Sequence, residues 1–212
     1  MKDTKIKDRV LESVSRHEMT IHRDDGLYRH IQFSQPGTNC YRFDLVTWPG
    51  YLCVTGDMGC WTFSRIADMF EFFNTDIEHG INPGYWSEKI QAGAGSAYRQ
   101  LCFEWDRDAF IKALREWHKN WLDEGRAEGV KVDVKDALST VEENADDAYA
   151  AWRSLEDADL PEFYVYDFME GRFERYTMHY LWICYAIVWG IQRYNESKAV
   201  VPVGASHDKP QL

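Results

Sequence analysis

The sequence has little of what marks a membrane span, an oxidised scaffold or a nucleic-acid binder. Its most apolar stretch, residues 180–191, is well short of the roughly 20 residues that cross a bilayer, so it reads as a buried core helix. The five cysteines (Cys40, Cys53, Cys60, Cys102 and Cys184) are odd in number and form no CxxC pair. A disulfide framework is therefore not expected, and the thiols read as reduced. Residues 1–5 hold no apolar run, and no signal peptide is expected. Basic residues are outnumbered, 24 against 35 Asp or Glu, for a net charge of −11. That balance opposes direct binding to a phosphate backbone. There is no internal repeat, no low-complexity tract and no recognisable catalytic motif.

What the chain does have is aromatic surface and one concentration of charge. Its 212 residues, nine of them Trp, suffice for one sizeable core, or for one core with a smaller satellite. Residues 123–170 hold 15 Asp or Glu against 4 Lys or Arg, while the remainder holds 20 of each. A body of balanced charge carries one acidic segment, and such asymmetry points to an interaction surface.

Local patterns predict an α+β fold. Residues 6–16 predict a short amphipathic helix. An antiparallel β-meander of four to five strands follows, punctuated by Asp25-Gly26, Pro49-Gly50 and residues 56–59. Four to five helices pack with it. Ile66, Met69, Phe70 and Phe73 share one apolar face, and Asn82-Pro83 opens a short helix. Residues 91–97 read as a Gly/Ala/Ser loop and 101–105 as a strand. Asp106 caps a helix striped by Phe110, Leu114, Trp117 and Trp121. Within the acidic segment one helix is expected over 134–155, with Leu138, Val141, Ala145, Ala148, Tyr149 and Trp152 as its stripe. Residues 163–168 read as extended. A last helix over 173–194, aromatic-rich and apolar nearly all round, is the expected pillar of the core. A single domain over 1–197 and a disordered tail over 198–212 complete the expectation.

Several of these stretches resemble a widespread family of bacteriophage and prophage proteins. The resemblance is carried by residues 23–26 with 28–30, Phe43-Asp44-Leu45, residues 47–50, Gly56-Asp57-Met58-Gly59, residues 68–73, residues 82–86 and the aromatic helix around 182–192. It covers most of the folded chain but not the acidic segment 133–159. It implies an accessory gene product with an anti-defence role, acting in the cytoplasm of the infected bacterial host. It transfers no chemistry.

Two readings of function follow. In the first, the chain is a non-enzymatic binding protein that inhibits a host antiviral defence complex, such as a CRISPR effector or Gabija, through an acidic surface that mimics nucleic acid. Asp136, Glu142, Glu143, Asp146, Asp147, Glu156 and Asp157 would contact a basic partner. On one continuous helix, Glu142/Asp146 and Glu143/Asp147 would repel at i,i+4, a cost that a cationic partner relieves. No cofactor, membrane or direct nucleic-acid contact is expected, and a homo-oligomer is expected on general grounds. In the second reading, His22, Asp24, Asp25, His30 and Asp57 converge as a metal site of a small hydrolase or nucleotide-processing enzyme. The same residues also read simply as a hairpin turn with its flanking strands. Gly56-Asp57-Met58-Gly59 reads as a turn, Cys53 and Cys60 as structural thiols flanking it, and His179 as a core histidine.

Overall fold

The computed structural model describes residues 2–91, 101–126 and 133–199. In chain order it runs α1 (Lys2–Val14), β1 (Glu18–Asp25), β2 (Tyr28–Ser34), β3 (Phe43–Trp48), β4 (Tyr51–Gly56), β5 (Gly59–Ser64), α2 (Met69–Phe72) and α3 (Pro83–Ser87). It continues with β6 (Phe103–Trp105), α4 (Arg107–Asp123), α5 (Val134–Glu143), α6 (Ala148–Asp157), α7 (Val165–Met169), β7 (Glu174–Tyr176) and α8 (Met178–Ala199). The fold is α+β. A five-stranded antiparallel meander keeps sequence order, β6 and β7 form a separate pair, and an aromatic-rich C-terminal helix is buried. Five of the eight helices among the described residues are ten residues or longer. No helix among the described residues is long and apolar enough to cross a membrane. Residues 92–97 of the expected Gly/Ala/Ser loop and 200–212 of the expected tail lie outside the described residues.

The chain divides into two compact units. One comprises Met1–Cys102 with Thr177–Leu212, the other Phe103–Tyr176. In the first, strand alternation sends Ile31, Phe33, Leu45, Leu52, Val54 and Phe63 to one face, where all are fully buried. α8 supplies the opposing surface, and a close approach at Gly190 makes the packing possible. A Cβ there would lie 2.9 Å from Leu45 Cδ1 and 3.0 Å from a Phe33 ring carbon. The indole of Trp182 donates to Ser13 Oγ at 3.1 Å, tying α8 to α1. At the other end of the sheet, Arg29 forms a two-pronged bond to Asp68, at 2.9 and 2.8 Å, and Asp68 also caps α2 through the amide of Phe70.

The opposite face of the same strands carries His30 and Gln32, Asp44 and Val46, Cys53 and Thr55, and Cys60 and Thr62, with Asp44 buried among them. The β4–β5 hairpin turns through Gly56, where a Cβ would fall 2.1 Å from the Arg42 carbonyl oxygen. Only glycine fits there.

In the second unit, α4 to α7 close around Phe110, Leu114, Val141, Ala151 and Leu155. Three expectations are corrected. The helix over 134–155 is two helices. Ala145 turns into the core, its carbonyl accepts from the Trp105 indole at 3.1 Å, and Asp147 restarts the helix as a cap. Residues 163–168 are mostly helical rather than extended, in α7. The last helix starts at Met178 rather than near 173, because 174–176 pair with β6 and the Thr177 hydroxyl accepts the Tyr180 amide as a cap. That helix also runs to Ala199, two residues into the segment expected to be a tail.

Candidate functional site

The division into units coincides with the division of charge. Residues 103–176 hold 20 Asp or Glu against 10 Lys or Arg, a net −10 of the chain's −11; the rest holds 15 against 14. Half a dozen of these carboxylates are used inside the unit. Asp106, Asp133 and Asp147 accept backbone amides as helix caps. Glu104 pairs with Arg175, Glu162 with Arg126, and Glu142 with Arg115 through a two-pronged bond. The guanidinium of Arg115 lowers the Glu142 carboxyl below its ordinary value, against a smaller opposing effect of burial.

The seven acidic residues singled out from the sequence therefore separate by role. Glu142 is neutralised by the fold, and Asp147 is structural. Because α5 and α6 are distinct helices, the expected repulsion of Glu142 with Asp146 and of Glu143 with Asp147 along one helix does not arise. Asp136, Glu143, Asp146, Glu156 and Asp157 are exposed and, among the described residues, carry no ion pair. Asp147→Ala is expected to cost about 1 kcal/mol of stability through loss of the cap without altering partner affinity; a denaturation curve set beside a binding isotherm checks both.

Glu156 and Asp157 are the residues that the fold turns into a site. With Asp159 they line a mostly polar groove of about 490 Å³, whose other lining residues are Leu155, Leu160, Phe163 and Val165. The lining is anchored in the core: Phe163 meets the Trp117 ring edge-on at 4.7 Å. The connecting loop takes its shape from Asp159 and Glu162, whose φ angles of 43° and 54° are left-handed without glycine. The three most exposed large apolar side chains among the described residues are Tyr149, Tyr164 and Tyr166, at 68, 74 and 74 %. All lie in this unit, and Tyr149 is not the core residue expected from its place in the helix stripe.

Helix polarity adds to the negative field. A helix C-terminus carries about half a negative charge, which favours Lys or Arg in the last turn. α4 ends on Asp123, α5 on Glu142-Glu143 and α6 on Glu156-Asp157, and none has a basic residue there. Each arrangement opposes stability by some tenths of a kcal/mol. A Lys or Arg entering the groove would relieve that opposition at α6, its charge among the carboxylates.

The residues of the alternative metal site do not come together. Asp24 is engaged elsewhere: it accepts the Tyr194 hydroxyl at 2.8 Å and pairs with Lys198. Asp25 pairs with Arg23, and Asp57 accepts the Tyr41 amide across the hairpin turn. His22 is an unpaired bulge residue between Ile21 and Arg23, its ring 4.6 Å from that of His30, and His30 binds Asp44 at 2.7 Å. Among the described residues no three His, Cys, Asp or Glu side chains are grouped as a metal requires. Asp159 and the rest of the groove lining were missed in the sequence; the signal available was Leu160-Pro161 interrupting an acidic run, with three tyrosines close by.

No family model, curated protein or solved structure matches the chain.

Proposed function

We propose that the chain is a phage-encoded, non-enzymatic binding protein that inhibits a host antiviral defence complex, with a CRISPR effector or Gabija as the kind of target, in the cytoplasm of the infected host. The observation that carries the binding half of this reading is the groove. Three carboxylates line it, two of them in the last turn of a helix whose dipole already repels them. Negative charge held against its own helix is matched by a cation from outside. Nuclease and effector complexes offer Lys and Arg in channels built for phosphate rows, and carboxylates compete for such channels. Exposed tyrosines suit the rim of such a contact, because they supply large, rigid area at low entropic cost. The phage setting rests on the sequence resemblance alone, carried by motifs such as Gly56-Asp57-Met58-Gly59 and residues 82–86.

Plaque counts test the proposal in cells. Expression of the chain in bacteria carrying the defence system is expected to restore phage plating toward the level of defence-free cells. The Glu156→Lys/Asp157→Lys/Asp159→Lys variant, expressed to the same level, is expected not to do so. Equal plating with and without the wild-type chain, across Gabija and CRISPR hosts, would remove defence inhibition from the account.

A further inference from the structure

The partner reading leaves unused a thiol pair on the polar face of the meander. Cys53 lies on β4 and Cys60 on β5. Their strands are held in register by Thr55 opposite Cys60 and by Cys53 opposite Thr62. Both side chains point away from the core face, and the sulfurs lie 3.7 Å apart. Cys60 is exposed and Cys53 half-buried. A disulfide needs sulfurs about 2.05 Å apart, so closure requires about 1.7 Å of approach. Side-chain rotation of two neighbouring residues, one of them at the surface, is the natural source of that movement.

We propose that Cys53 and Cys60 are a reversible oxidation site, closing to an intramolecular disulfide across β4 and β5 when the chain meets a low-molecular-weight disulfide such as oxidised glutathione. The two thiols have different parts. Burial pushes the Cys53 thiol up, and the neighbouring Cys60 sulfur adds to this against an opposing bond from Thr62. Exposed Cys60 is the thiol that an incoming disulfide reaches first, and half-buried Cys53 is the one that resolves the bond. Deprotonated Cys60 attacks one glutathione sulfur, forming a Cys60–glutathione bond and expelling a glutathione thiolate. The Cys53 proton then passes to water, and its sulfur attacks Cys60 Sγ. The Cys53–Cys60 bond forms and the second glutathione leaves as thiolate. Two protein thiols are oxidised by two electrons, and one glutathione disulfide is reduced to two thiols. Cys102 and Cys184 take no part: both are buried, and burial pushes both thiols up, Cys102 to about 12.

Trypsin places both residues in one peptide, residues 43–65, with no other cysteine. The folded full-length chain is treated with oxidised glutathione, blocked with iodoacetamide and digested. The expected result is a 43–65 peptide lighter by two hydrogens that has lost both alkylation sites, and that regains them after dithiothreitol. Cys53→Ser is expected to hold glutathione on Cys60, because the resolving thiol is gone. A wild-type peptide alkylated at both positions, or one that retains glutathione on Cys60, would overturn the proposal. So would a Cys53→Ser chain whose Cys60 takes up no glutathione.

Discussion

Arg29→Ala is expected to lower the stability of the meander unit by about 3 kcal/mol, the largest loss foreseen for any single charged residue. The Arg29 and Asp68 side chains are only 12 and 18 % exposed, and their two-pronged bond joins β2 to the cap of α2. Removing the guanidinium leaves a mostly buried carboxylate without its counter-ion, which costs more than the pair gains by existing. The loss reaches beyond the pair. The Arg29 guanidinium also lies over the Phe70 ring at 4.7 Å and near that of Tyr194, which holds Asp24 on the edge strand. Arg29→Lys should recover only part of the loss, since an ammonium cannot make the planar double contact. Urea unfolding of the three proteins measures it.

The same network sets an acid limit. Burial alone would raise the Asp68 carboxyl, but the Arg29 guanidinium and the Phe70 amide outweigh it and hold the carboxyl below the ordinary Asp value of 3.8. Asp24 is held down mainly by Lys198. Both carboxylates lose their protons more readily folded than unfolded. Their contribution is whole above the ordinary value and is lost as pH falls through the lowered one. Wild-type stability should therefore fall steeply below the ordinary Asp range, and Asp68→Asn should flatten that fall.

The second large effect is expected at the groove. Reversing Glu156, Asp157 and Asp159 to Lys should weaken binding to a basic target by on the order of a hundredfold, as each contact turns from attraction to repulsion. Of these, Glu156→Lys and Asp157→Lys together should leave the free protein as stable as the wild type or more so. Lys in the last turn of α6 suits the helix dipole, by some tenths of a kcal/mol per residue. Gain of stability with loss of binding separates a recognition surface from a merely structural one, and a thermal melt beside a binding isotherm shows both.

Much of the fold was legible because its signals are local. Asp25-Gly26, Pro49-Gly50 and the glycines flanking Asp57-Met58 name their own turns, and the strands between them alternate. Asn82 and Asp106 cap helices where their side chains allow. The acidic segment was harder. Its helical periodicity continues through Ala148 and Tyr149, whereas the break depends on Ala145 meeting Trp105, 40 residues away. The pairing of Glu142 with Arg115 is likewise non-local, at a separation of 27. Two of the seven acidic candidates, Glu156 and Asp157, line the groove; Asp159, which completes it, sits in a left-handed backbone that Asp tolerates better than most residues but does not by itself dictate.

One titration decides whether the acidic unit is a recognition surface. Purified full-length chain is measured against purified Gabija and CRISPR effector complexes over a series of salt concentrations, wild type beside the triple Lys variant. The expected result is tight binding to one complex at low salt that weakens steadily as salt rises, with the variant weak throughout. An affinity that is the same at low and high salt, or the same for wild type and variant, would contradict it.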